Sequence, residues 1–169
     1  MRITSLFCMV IMFISISFVF AEDGEISFAG EWILDMDKSE IPESNSGRRG
    51  RAATKLIVEQ GENRLVVEST STNRDGEERV QKATYTLDGK VCENEMYNTT
   101  SKSTAEWSED RKSLKINTEA TFSRNGEEFK ISMKNTWSLD NGDLKIDSFR
   151  STPRGDRESK LVYKKSDAK

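Results

Sequence analysis

The stretch FKISMKNTWSL, residues Phe129 to Leu139, decides the fold. Its large and mostly apolar side chains occupy every second position, and polar side chains occupy the positions between them. Successive side chains of a β-strand point to opposite faces, so this pattern predicts a strand with one apolar face and one wet face. No segment after residue 21 repeats its apolar positions convincingly at helical spacing.

The same alternation recurs along the rest of the chain, and tight-turn dipeptides separate the alternating segments. These dipeptides tolerate the positive φ that short hairpins require, and they are Asp75-Gly76, Asp88-Gly89, Asn125-Gly126 and Asn141-Gly142. One long irregular loop is predicted at 36–53. The predicted strands are 28–35, 54–60, 64–71, 77–87, 90–97, 102–108, 112–122, 127–139, 144–151 and 158–165.

These strands need to cover their apolar faces without any helix. Strands of this kind fold on themselves, either by closure or as two packed sheets. Short sequential hairpins favour an up-and-down meander, and closure also removes exposed sheet edges. The sequence therefore predicts an all-β fold, an antiparallel meander of about ten strands closed into a barrel.

The N-terminal segment 1–21 predicts a cleavable signal peptide. Arg2 gives a positive start, and the apolar run that follows, of about 15 residues, is shorter than the roughly 20 of a membrane-spanning helix. We expect cleavage after Ala21, with an uncleaved N-terminal anchor as the alternative. The expected product is a single domain over 22–169, secreted or periplasmic in a bacterial cell envelope.

Composition excludes several classes of function. The chain contains no histidine, which removes Ser-His-Asp, Cys-His and histidine-metal chemistry. Cys92 is the one cysteine after the signal peptide, and we expect it to be a small core residue. The net charge of −3 has both signs interspersed, so no nucleic-acid partner is expected. We expect no enzymatic activity, no cofactor, no metal, and no stable membrane insertion after cleavage.

A short motif at the first strand carries a family resemblance. Gly30-Glu31-Trp32 resembles the entrance motif of lipocalins and fatty-acid-binding proteins, whose Trp plugs one barrel end beneath an Arg from a late strand. The motif is followed by Asp35, Asp37-Lys38-Ser39 and Tyr85-Thr86-Leu87-Asp88-Gly89-Lys90. With this ordered set of motifs, the chain resembles a set of uncharacterised bacterial exported lipocalin-like (calycin-type) β-barrel proteins.

The resemblance implies a lipocalin/fatty-acid-binding-protein-like barrel with Gly30 and Trp32 as structural residues at one end. Arg150 or Arg157 would then cover the Trp32 ring. The late-strand Arg-x-Tyr clamp that holds a fatty-acid carboxylate is missing, since Leu161 stands two residues before Tyr163.

Polar residues on otherwise apolar registers indicate where a ligand could bind. Thr118, Asn135 and Ser148 would point into the barrel, and a few inward polar groups are typical of a small-ligand pocket. Alternatively, these residues meet solvent near the barrel rims.

The first hypothesis for function is a non-enzymatic binding protein that holds a small apolar or amphipathic ligand, entering beside the 36–53 loop. Its candidate ligand-binding residues are Trp107, Met133, Asn135 and Trp137. The second is an envelope protein-interaction or structural module with a filled barrel, acting through its outer face or through Arg48, Arg49 and Arg51.

Overall fold

A computed structural model describes residues 26–42, 52–73 and 76–166 of the chain. The described residues form ten strands and no helix, in the order predicted from the sequence. The strands are β1 (Gly30–Leu34), β2 (Lys55–Gly61), β3 (Arg64–Thr72), β4 (Glu78–Thr86), β5 (Cys92–Met96), β6 (Thr99–Trp107), β7 (Ser113–Arg124), β8 (Glu127–Asp140), β9 (Asp143–Thr152) and β10 (Gly155–Lys165).

All ten strands belong to one antiparallel sheet that curls into a nearly closed barrel. Its strand order is β4-β3-β2-β1-β10-β9-β8-β7-β6-β5, so the last strand pairs with the first. Every other neighbouring pair is consecutive in sequence, as an up-and-down meander requires. The predicted all-β class and meander are confirmed.

The hairpin turns follow the predicted turn chemistry. Asn125 and Gly126 have φ of 54° and 82°, and Asn141 and Gly142 have φ of 53° and 85°. Two successive positive φ values twist a two-residue turn in the same sense as the strands that it joins.

The two ends of the barrel differ. Because neighbouring strands are antiparallel, the β2–β3, β4–β5, β6–β7 and β8–β9 connections share one end, which we call the packed end. The other hairpin connections share the opposite end, which we call the open end. The core fills the packed half, and its most deeply buried side chains are Phe28, Trp32, Leu65, Ala105, Leu114, Ile116, Leu144 and Tyr163.

Trp32 closes the packed end, but not in the predicted way. Its indole Nε1 donates a hydrogen bond of 2.8 Å to the carbonyl of Phe28, and the ring is 1% exposed. Lys165 lies over this ring, with Nζ 5.6 Å from the centroid. The expectation that Arg150 or Arg157 covers Trp32 is therefore wrong.

The register explains this correction. Trp32 is paired with Lys165 at the end of β10, whereas Arg157 lies eight residues earlier on the same strand. At about 3.3 Å per residue, the separation is about 26 Å. Arg150 is paired with Arg157, so both arginines lie toward the open end.

Side chains close the seam between β4 and β5, where no backbone ladder forms. The Asn94 amide accepts a hydrogen bond from the Thr84 N–H at 2.7 Å and donates one to the Thr84 carbonyl at 3.0 Å. The Thr86 N–H donates to the Cys92 Sγ at 3.1 Å. Cys92 is half-buried in this seam, so its predicted place in the core is wrong.

Part of the predicted 36–53 loop is described. Glu40 exchanges two backbone hydrogen bonds with Lys160, which extends the β1 edge toward the open end. The signal-peptide prediction for 1–21 and the arginines at 48, 49 and 51 lie outside the described residues. No helix in the described ranges has the length and apolar character to cross a membrane.

Candidate functional site

A cavity of about 560 Å³ lies at the open end of the barrel. It lies between the β7–β8 and β9–β10 turns. Its described lining residues are Asn125, Glu127, Glu128, Phe129, Ile131, Arg150, Thr152, Pro153, Arg154 and Arg157.

One wall of this cavity is apolar. Phe129 of β8 stacks on Phe122 of β7, with ring centroids 5.7 Å apart. Ile131 follows on the same face and is 7% exposed. These side chains continue the inward register of Trp137, so the apolar face of the deciding strand passes from the core into the cavity.

The part of the lining beside this apolar patch, on the two neighbouring strands, is basic. Arg150 of β9 and Arg157 of β10 are direct cross-strand partners, and Arg150 is also paired with Met133 of β8. Both arginines share the inward register of buried Ile146. Arg154 lies in the turn between them, where its N–H donates to the Thr152 Oγ1 at 3.2 Å.

Among the described residues, the arginines that line the cavity form no ion pair. Glu127 and Glu128 also line it, but within the described part of the chain no carboxylate lies within 4.0 Å of the Arg150, Arg154 or Arg157 guanidiniums. Like charges directly opposite each other on a sheet are destabilising. The Arg150–Arg157 pair is therefore an arrangement that an anion between the two groups would relieve.

A second cavity, of about 110 Å³, lies inside the barrel beside the β4–β5 seam. Hydroxyl groups line much of it, and the Ser103 and Thr118 hydroxyls hydrogen-bond each other at 2.9 Å. Its volume and polar wall suit about three water molecules. Burial raises the pKa of Tyr85, which borders the cavity, to about 12.

The four candidate residues predicted from the sequence are on the inward face of the barrel, but none of them lines the open-end cavity. Trp107 is half-buried and stacks on Phe28, with centroids 5.6 Å apart, and Trp137 meets the same ring edge-on at 5.7 Å. Asn135 lies between Ile116 and Ser148 in the register, and Met133 lies between Thr118 and Arg150.

Met133 and Asn135 lie between the open-end cavity and the core, whereas Trp107 and Trp137 lie in the packed half with Phe28. None of the four residues is among the described residues lining either cavity, and their part in binding stays a prediction. Of the other inward polar positions, Thr118 is 5% exposed and Ser148 is half-buried. The Trp137 indole N–H is buried without a hydrogen-bond partner among the described residues.

The basic wall is the part of the site that the sequence reasoning missed. Arg150 and Arg157 stand at similar distances on either side of Pro153-Arg154-Gly155, whose residue types favour a turn. That symmetry predicts a cross-strand pair near a turn, and the alternation from Ile146 places the pair inward. The sequence therefore contained the information for this pair, but the resemblance at Trp32 led to the prediction that one of these arginines lies at the packed end.

The outer face carries an open groove of about 720 Å³ beside Glu40, Ile41 and Pro42. Its floor is formed by the outward side chains of β8, β9 and β10, which alternate with the buried ones. Those side chains are Lys134, Thr136, Asp147, Phe149, Glu158 and Lys160.

Comparison with known proteins supports the fold. Zebrafish ileal bile acid-binding protein, solved in complex with cholic acid, is similar to this chain with a TM-score of 0.55 and 16% sequence identity. The match covers 82% of this chain and 98% of that one. No protein family and no curated protein sequence matches the chain. The likeness is one of fold alone, and it confirms the predicted antiparallel barrel of the fatty-acid-binding-protein-like type.

Proposed function

We propose that this chain is an exported, non-enzymatic binding protein for a small amphipathic molecule with an anionic head group. The observation that carries the proposal is the cavity at the open end, where an apolar patch lies beside a basic one. The apolar part of the ligand would lie against Phe129 and Ile131, and its anion between Arg150 and Arg157.

The volume and position of the cavity support this assignment. A cavity of about 560 Å³ is within the range of roughly 300–1,000 Å³ that small-molecule sites occupy. The packed half holds buried core side chains, so a ligand enters only the open half. This makes the site shallower than a fully hollow barrel and suits a short acyl chain or one compact ring system.

The experiment is a calorimetric titration of the chain from residue 22 with decanoate and with 1-decanol. We expect one molecule of each to bind per chain, because both offer a tail to the apolar wall. Decanoate should bind more tightly by about tenfold, since a charge-assisted hydrogen bond contributes about 1.5 kcal/mol or more. Ile131→Trp, which fills the cavity, should abolish both signals. Absence of binding by either probe would contradict the proposal.

The anionic preference has its own variants. Arg150→Gln with Arg157→Gln should weaken decanoate binding to the level of decanol and leave decanol binding unchanged. Arg64→Gln is the matched control, because Arg64 is exposed at the packed end. Equal affinity of the wild-type protein for decanoate and decanol would contradict the preference for an anionic head group. It would still support an apolar binding site.

Export is the second part of the proposal and rests on the sequence of residues 1–21. Expression of the full chain in a bacterium should yield a secreted or periplasmic product whose N-terminal residue, read by mass spectrometry, is Glu22. A full-length product that stays with the membrane would indicate the uncleaved anchor instead.

A second candidate function, a protein-interaction module of the envelope, is favoured by the groove on the outer face. Phe149 is a half-buried aromatic residue on that face, between Lys134 and Glu158 in the register. An envelope protein captured by the wild-type chain, but lost with Phe149→Glu and retained with Ile131→Trp, would support this function over ligand binding.

A further inference from the structure

We propose that β4 is the contact through which two copies of this chain pair, edge to edge, about a two-fold axis at Val80. The inference does not depend on the ligand-binding proposal. It starts from the unequal lengths of the two strands at the seam: β4 has nine residues and β5 has five.

The register fixes which backbone groups of β4 face the seam. The N–H and C=O of Thr84 bond the Asn94 side chain, so this residue faces away from β3. Antiparallel pairs alternate between those that exchange hydrogen bonds and those that do not. The backbone groups of Glu78, Val80 and Lys82 therefore face the same edge as those of Thr84.

Beyond Thr84, the described residues offer this edge no backbone partner. Gln81 reaches across the seam with its side chain, donating from Nε2 to the Glu95 carbonyl at 3.3 Å. No described residue bonds the outward backbone groups of Glu78, Val80 or Lys82. The outward backbone groups of Glu78, Val80 and Lys82 are thus unbonded within the described ranges, in a segment without proline or bulge that is paired in unbroken register with β3 on its other side.

The side chains on this edge point to a second copy as the occupant. Val80 is 60% exposed, although it is large and apolar. In an antiparallel pair centred on Val80, each Val80 faces its counterpart and each Glu78 faces Lys82 of the other copy. The sequence Glu-Arg-Val-Gln-Lys is therefore complementary to itself in charge.

The same charges select this register over its neighbours. A parallel pairing in register would place Lys82 opposite Lys82 and Glu78 opposite Glu78, and like charges directly opposite each other are unfavourable. A shift of the register by one residue would move Val80 away from its counterpart. It would also place outward side chains of one copy beside inward side chains of the other. An isologous contact also closes after two copies, so it yields a dimer and not a fibre.

The experiment measures self-association of the chain from residue 22 by sedimentation velocity over a series of concentrations. We expect a monomer–dimer equilibrium in the wild-type protein. Lys82→Glu and Glu78→Lys should each weaken dimerisation by about tenfold, through two like-charge pairs of roughly 0.7 kcal/mol each. The double variant exchanges the charges and should restore the dimer. Lys115→Glu, on the exposed outer face of β7, is the matched control.

Val80→Pro provides a variant that does not depend on charge. The Val80 N–H faces the free edge, so proline removes a donor to the second copy and none from the β3 ladder. We expect a folded monomer, with the circular dichroism of the wild-type protein. A wild-type chain that remains monomeric up to its solubility limit, or a double charge variant that fails to restore the dimer, would overturn the proposal.

Discussion

Trp32 connects separate parts of the packed end through one indole ring. Its N–H is bonded to Phe28, and its face lies beneath Lys165. Trp32→Phe would leave the buried Phe28 carbonyl without its donor, which costs about 2 kcal/mol of unfolding free energy. Lys165→Met removes an exposed cation from above the buried ring and should cost less than about 1 kcal/mol. Urea unfolding of the two variants measures the difference, and equal costs would contradict this assignment.

Tyr85 makes stability depend on alkaline pH. Burial raises its pKa from 10.0 to about 12 in the folded chain, so the folded state holds the phenolic proton more tightly than the unfolded state. The contribution of Tyr85 to the unfolding free energy is therefore fully present below pH 10 and is lost as pH rises toward 12. The slope from one such group is at most about 1.4 kcal/mol per pH unit.

Tyr85→Phe removes this contribution. Burial also raises the pKa of Tyr163, whose hydroxyl donates to the Ala53 carbonyl at 3.0 Å, so the variant should retain part of the slope. Unfolding free energies measured between pH 10 and pH 12 should decrease less steeply in Tyr85→Phe than in the wild-type protein. Identical slopes would mean that Tyr85 ionises equally in both states.

Residue types and their spacing predicted the inward side chains but not the end of the barrel that each one occupies. Trp107 and Trp137 were expected near a ligand because they are large and inward. They lie with Phe28 in the core. Depth along the barrel depends on the stagger between strands, and alternation within a strand carries no information on that stagger.

At the scale of the element, the seam between β4 and β5 depends on one amide. Asn94→Ala removes both hydrogen bonds to Thr84, so we expect a loss of about 2 kcal/mol in unfolding free energy. Hydrogen exchange at the Thr84 amide should become faster as the seam opens. Glu93→Ala is the control on the same strand, because its ion pair with Lys102 is exposed and 4.0 Å long and such pairs contribute little. Similar exchange rates in the two variants would show that the seam is held by other contacts.

The sequence predicted all ten strands, and two of the errors in their boundaries have local causes. β6 begins at Thr99 and not at 102, because Tyr97 adopts a φ of 56° and permits a two-residue turn directly after Met96. Tyrosine seldom takes a positive φ, so the dipeptide gives no turn signal. β1 begins at Gly30 and not at 28, because the Phe28 N–H bonds the Gln60 side chain in place of a strand.

For the whole molecule, the difference between the two ends predicts different responses to truncation. Leu144 is fully buried in the packed half, so Leu144→Ala should leave a closed void and cost about 2–5 kcal/mol. Ile131 lines the open-end cavity, and truncation there enlarges a space that solvent already reaches. Ile131→Ala should cost at least about 1 kcal/mol less, but weaken decanol binding, which Leu144→Ala leaves unchanged. Equal destabilisation would mean that the open half is packed as tightly as the other.

The first and the last described residues of the chain both lie at the packed end of the barrel. The Ile26 carbonyl is bonded to Gln60, and the Ser166 N–H donates to the Glu31 carbonyl, beside the Trp32 plug. A reporter domain or surface tether joined at Ile26 or Ser166 would therefore attach behind the Trp32 plug. The open-end cavity with Arg150 and Arg157 would face away from the support, so immobilised protein could be titrated with the proposed ligands without obstruction from its own linker.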